Sequence, residues 1–316
     1  MSPGDRLTHP RAVLAAEPVP DVVDRAGVPR HTRRVHDERT AAEPSPSVRS
    51  ATGLLRAAHP LPAAAVTVLG TALGVAAGLS APRTLLLAAA LLAGQLSIGW
   101  ANDAVDAARD RLAGRREKPV VAGHVAARTV HRAAVAALLA SVPLSLALGP
   151  VPGVLHLLAV ASAWGYDLWL KTTPVSPLPY VVSFGLLPAV AATAAGVDVP
   201  AALVAAAALL GAGAHFANTV PDAAADARTG VRGLPQRLGV RASRAAGAAG
   251  VVAACALLVL VPDPDVGTPA AAVLTVAAVV GAAGGLAPGR ASFRLVLAAA
   301  GIAVGGVLLA GPRLLG

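Results

Sequence analysis

The chain of 316 residues is 55% hydrophobic and only 14% charged, with a mean hydropathy of +0.66. Soluble globular chains carry about 25% charged residues, so this composition excludes that class and makes a lipid bilayer the solvent for most of the chain. The balance of 26 Lys and Arg against 17 Asp and Glu gives a formal net charge of +9, and the lone Cys255, set in an apolar run, excludes an intrachain disulfide or a cysteine metal cluster.

Residues 1–50 are rich in Pro, Arg, Asp, Glu and Thr and hold no apolar run long enough for the core of a signal peptide. They read as a disordered cytoplasmic tail, with one transmembrane domain over 51–316. Apolar spans follow near 60–79, 84–101, 130–148, 151–169, 177–195, 199–217, 243–261, 268–286 and 293–311. Each is close to the ~20 residues that a helix needs to cross a bilayer. The chain is therefore expected to be an all-α, multi-pass membrane protein of about nine helices. The fourth span, with His156 and Asp167, and the glycine-rich eighth have the weakest patterns.

An acidic segment follows the second span, and a near copy of it follows the sixth. Without a gap, Asn102 superposes on Asn218, Asp106 on Asp222, Asp110 on Asp226, Gly114 on Gly230, Arg116 on Arg232, Pro119 on Pro235 and Gly123 on Gly239. This is an internal repeat. Four residues of helix turn through only ~40° beyond one full turn, so Asn102, Asp106 and Asp110 share a face, as do Asn218, Asp222 and Asp226. Two such faces opposed make a carboxylate cage suited to Mg²⁺ and a polyphosphate, because hard oxygen ligands favour Mg²⁺ over zinc. Arg116, Lys118 and Arg232 stand nearby in sequence to neutralise phosphate oxygens. Taken singly, each acid could be an ordinary solvated loop residue; their repetition in register with Asn, Gly, Arg and Pro argues for a shared task.

The basic residues set the orientation. Arg109, Arg111, Arg115, Arg116, Lys118 and Arg128 follow the second span, Arg228, Arg232, Arg237 and Arg241 the sixth, and Lys171 and Arg290 the fourth and eighth. The opposite connections offer only Arg83 and, at the C-terminal end, Arg313. By the positive-inside rule the N-terminus and both acidic motifs face the cytoplasm in a cell-membrane protein. An even number of spans between the motifs brings both to the same face. The positive charge is then topology and calls for no nucleic-acid partner.

These residues resemble the UbiA superfamily of intramembrane prenyltransferases. Its first signature, N-D-x-x-D-x-x-x-D, stands here as Asn102, Asp103, Asp106 and Asp110, and its second, D-x-x-x-D, as Asp222 and Asp226. The resemblance covers about residues 50–316 and implies nine transmembrane helices around a central cavity. It further implies that Asn102, Asp106, Asp110, Asp222 and Asp226 hold Mg²⁺ on a prenyl diphosphate, whose prenyl group passes to an aromatic or other small lipophilic acceptor. A family Tyr and basic residue after the fourth helix are matched loosely by Tyr166 and Lys171, and a basic residue before the first helix by Arg56. Two departures leave the subfamily and its acceptor open. Residues 118–123 read KPVVAG where many members have an Arg-Pro-Leu-Pro-Ser-Gly-like stretch, and Thr219 stands where the second motif often has Asp.

The implied chemistry is electrophilic alkylation: cations stabilise the departing diphosphate, an allylic carbocation forms, and an acceptor captures it away from water. Trp100, Trp164, Tyr166, Trp169, Tyr180, Phe184 and Phe216 gather near the motif-bearing ends or in the fourth and fifth spans, where they could stabilise a cation through their π faces or form an interfacial belt. His59 and His156 are isolated, without ligand spacing. The rival class is a cation-coupled transporter, since repeats with acids facing a cavity also mark transporters; two motifs on one membrane face, with trailing basic residues, suit a diphosphate better.

Overall fold

The computed structural model describes residues 46–261 and 267–310. Residues 1–45, nearly all of the expected tail, and Arg313 lie outside the described residues.

The described chain folds as helices α1 (Pro46–Ala57), α2 (Pro60–Ala76), α3 (Ala81–Leu112), α4 (Ala127–Ala147), α5 (Pro150–Leu168), α6 (Leu178–Ala195), α7 (Ala201–Thr219), α8 (Ala223–Thr229), α9 (Leu234–Leu260), α10 (Thr268–Leu286) and α11 (Gly289–Ala310). Short 3₁₀ turns occupy Leu170–Thr172 and Val220–Asp222. Nine of the α-helices have at least 17 residues. Seven segments (α3, α4, α6, α7 with α8, α9, α10 and α11) are long and apolar enough to cross a membrane, and α1 with α2, bent by 55°, would make an eighth. The expected fourth span, α5, is not among them: it buries His156 and Asp167.

Each long helix packs on its neighbour in sequence, and α11 returns to pack on α2 and α7. The main core is built of small and aliphatic side chains such as Leu87, Leu91, Val190, Val251, Leu274 and Val296. Where α7 crosses α9, a Cβ on Gly213 would fall 2.8 Å from the Gly247 carbonyl oxygen, so the two backbones touch, as small residues permit in lipid. Arg83, the lone cation of its connection, donates to the carbonyls of Leu148 (2.5 Å) and Ala194 (3.0 Å) at the ends of α4 and α6, where a cation offsets the helix dipoles.

Helix α3 runs without interruption through the first acidic motif, so Arg109 and Arg111 belong to its last turn and not to a loop. The second motif departs from the expected single helix. Pro221 lacks an N–H and its ring would clash with the carbonyl four residues earlier; α7 stops at Thr219, a 3₁₀ turn holds Asp222, and α8 restarts at Ala223. The repeat nonetheless survives in the backbone. Gly114 and Gly230 have φ of 69° and 75°, and Gly123 and Gly239 have φ of 75° and 82°, a region in which side chains with a Cβ are strained.

Candidate active site

Both acidic motifs open onto one cavity of about 580 Å³. Its mouth is lined by Asn102, Asp106 and Asp110 from α3, by Asn218, Asp222 and Asp226 from the α7–α8 segment, and by Lys118, Arg115, Arg109 and Lys171; its interior is lined largely by apolar side chains, among them Leu91, Val160, Leu187 and Leu210. The bundle builds this arrangement from three sources. Helix α3 delivers its acids on one stripe, the broken α7–α8 segment delivers the second set, and the end of α5 with its 3₁₀ turn supplies Tyr166, Asp167 and Lys171.

The acids are held by ion pairs and hydrogen bonds. Asp106 accepts from both Arg109 and Lys171, and Asn102 Nδ2 donates to Asp167 Oδ1 at 2.8 Å. Arg115 bridges the motifs, with Nη1 3.4 Å from Asp110 and Nη2 2.8 Å from Asp222. Burial would lower the pKa of this guanidinium, but Asp222 and Asp110 outweigh it and hold the group above its ordinary value. Gln236 Nε2 donates to Asp226 Oδ2 at 2.7 Å. Asn218 Nδ2 donates to the Tyr180 hydroxyl at 3.3 Å, and Tyr180 makes an edge contact with Tyr166, ring centres 5.2 Å apart.

Of the residues expected from sequence, Asn102, Asp106, Asp110, Asp222, Asp226, Lys118, Tyr166 and Lys171 all line this cavity. Arg56, Arg116 and Arg232 are exposed and are not among its lining residues. Arg56 reaches the Glu117 carbonyl oxygen at 3.4 Å, and Arg232 lines an adjoining recess beside α8 and α9. Register between the repeats therefore picked out Arg116, whereas the cation that enters the cavity is its neighbour Arg115. Sequence reading also passed over the cluster behind Lys118. Asp103, 2% exposed, accepts from Lys118 Nζ at 2.5 Å and from His59 Nε2 at 2.8 Å. His59 sits at the α1–α2 bend with φ 51°, unusual for a residue with a side chain, and Gly99 of α3 lets the Ala58 carbonyl approach to 2.3 Å of where a Cβ would stand.

Among the described residues no group of three His, Cys, Asp or Glu side chains is close enough to hold a metal ion as arranged. The donor set itself, four carboxylates and two asparagine amides around one cavity, has the oxygen chemistry that suits Mg²⁺.

An all-helical, multi-pass membrane protein whose apolar cavity opens through a ring of acids and cations is the class that fold and site define. The chain belongs to the UbiA prenyltransferase family, whose model matches residues 63–295, and it is a prenyltransferase. Its fold is similar to that of a UbiA homolog from Archaeoglobus fulgidus bound to DMAPP and Mg²⁺: TM-score 0.63, 18% identity, 81% of this chain and 96% of that one. The same homolog bound to GPP and Mg²⁺ gives a TM-score of 0.62 at 18% identity, over 81% of this chain and 99% of that one. A digeranylgeranylglyceryl phosphate synthase structure gives 0.56 at 17% identity, over 82% and 94%. Among curated proteins none matches the sequence significantly.

Proposed function

We propose that the chain moves a prenyl group from an allylic prenyl diphosphate to an aromatic or other small lipophilic acceptor, with Mg²⁺, at the cytoplasmic end of the cavity. The observation that carries this reading is that Arg115 contacts Asp110 and Asp222 together, so that both motif copies and their cations share one mouth above an apolar interior. The archaeal homolog bound to DMAPP or GPP with Mg²⁺ supports it.

In this reading Asn102, Asp106, Asp110, Asp222 and Asp226 hold the metal, which when bound supplies Lewis-acid stabilisation of the departing diphosphate. Lys118, Lys171 and Arg115 place positive charge at the mouth, where phosphate oxygens bind. Arg56, Arg116 and Arg232 lie outside the cavity and act at most by drawing an anion toward it. Below them Tyr166 and Tyr180 present aromatic surface at the level where positive charge develops on carbon. The apolar walls keep water from capturing that carbon before the acceptor does.

The test is acceptor-dependent release of diphosphate by the purified protein in lipid nanodiscs, with Mg²⁺, geranyl diphosphate and a panel of phenols, quinol precursors and lipid phosphates. Release with a matched prenylated product supports the reading. Absence of product with every acceptor would overturn the proposed acceptor class.

A further inference from the structure

We infer that His156 closes the inner end of the cavity and sets the longest prenyl chain that it holds; this rests on the prenyl-donor reading above. The deepest cavity-lining residues of five helices are Leu91 on α3, His156 on α5, Val190 on α6, Leu210 on α7 and Ala300 on α11. Measured along each helix from Asn102, Tyr166, Tyr180, Asn218 and Arg290 respectively, at ~1.5 Å per residue, they lie about 12–17 Å deeper than those residues. Independent walls thus end at one level, which makes that level a floor.

His156 is the large polar member of this floor and is 3% exposed, beside Leu91 at 2% and Val190 at 1%. Its ring is fixed from outside the cavity: Nδ1 lies 2.7 Å from the Ser145 hydroxyl oxygen of α4, and Ser145 is fully buried. From the other side the ring lies against the backbone of α3. A Cβ added at Gly94 would stand 3.0 Å from His156 Nε2 and 2.9 Å from Val160 Cγ2, so no gap is left between α3 and α5 at this depth.

An extended chain advances about 3.3–3.6 Å per three bonds, and an isoprene unit adds four bonds to the main chain, which makes roughly 4.4–4.8 Å per unit. A depth of about 15 Å accommodates about three units. A farnesyl chain fills the cavity, and a geranylgeranyl chain exceeds it by one unit.

The test needs no acceptor. Dissociation constants are measured by calorimetry, with Mg²⁺, for dimethylallyl, geranyl, farnesyl and geranylgeranyl diphosphate on the detergent-solubilised full chain. Affinity should rise up to farnesyl and fall at geranylgeranyl. His156→Ala should lower the ratio of geranylgeranyl to farnesyl dissociation constants at least tenfold, while His156→Leu, which keeps the bulk and loses the hydrogen bond, should leave it within about twofold of the parent. An unchanged ratio in His156→Ala, an equal shift in His156→Leu, or a parent that binds geranylgeranyl as tightly as farnesyl diphosphate would overturn the assignment. Failure of the donor reading looks different, because none of the four diphosphates would then bind.

Discussion

Arg115 Nη2 lies 2.8 Å from Asp222 Oδ1, although 107 positions separate the two residues in sequence. Its Nη1 lies 3.4 Å from Asp110 Oδ1. One guanidinium therefore reads the first and the second acidic motif at once, which requires the ends of α3 and the α7–α8 segment to stand at a fixed spacing.

From that spacing follows non-additivity. Asp106→Ala and Asp222→Ala should each lower prenyl transfer on the order of a hundredfold or more, as expected when one member of a charge-stabilising cluster is lost. The double variant should be no worse than the weaker single one. Transfer rates in membranes at matched expression, titrated with Mg²⁺, decide the matter; near-parental activity in both single variants would remove the shared site.

Asp103 should be among the most costly acids of the first motif to replace, although it does not face the cavity. It is 2% exposed and holds Lys118 and His59. Breaking a buried ion pair by removing one partner costs about 3–5 kcal/mol, so Asp103→Ala should lower the thermal midpoint of the solubilised protein and raise the KM for the diphosphate donor. His59→Ala, which leaves the Asp103–Lys118 pair in place, should do less. If Asp103→Ala melts with the parent and keeps its donor KM, Lys118 is not positioned by this pair.

The helical class and the two acidic motifs were legible in the sequence because hydropathy and four-residue spacing are local properties. What escaped was what the bundle brings together from afar. Asp103 stands in the first signature but off the stripe of Asn102, Asp106 and Asp110 on α3, so spacing gave it no role. Its partners His59 and Lys118 come from a helix bend and an irregular loop, and no periodicity marks either. Arg116 was favoured by its match to Arg232, yet both are exposed and neither lines the cavity: the repeat preserves backbone conformation at its glycines better than it preserves side-chain roles. Gln236, which holds Asp226, carried no signal beyond its place in the second repeat.

The sidedness of the motifs rests on charge asymmetry alone and can be tested directly. Cysteines placed at Ala113 and Thr229, in a variant whose buried Cys255 is replaced by Ala, should resist a membrane-impermeant maleimide in intact cells and react after permeabilisation. Rapid labelling of intact cells would invert the topology.

Deletion of residues 1–45 should leave prenyl transfer within a few-fold of the parent, because their composition cannot bury a core. The boundary for such a truncation belongs before Pro46, since α1 begins there, a few residues ahead of the limit at 50 that composition suggests. Loss of activity at normal expression would place part of that segment in the site.

The unequal ion pairing of the two motifs has an electrostatic consequence. The repeat does not carry its cations across to the second copy, where Ala225, Val231 and Leu234 stand at the positions of Arg109, Arg115 and Lys118. The α3 side carries Lys171 and Arg109 on Asp106 and Lys118 on Asp103, whereas Asp222 and Asp226 across the mouth are met by Arg115 and Gln236. The mouth is electrically lopsided. If the two phosphates of a donor bind at this mouth as proposed, they meet different surroundings there, and the site would tell the terminal phosphate from the one that carries the prenyl group.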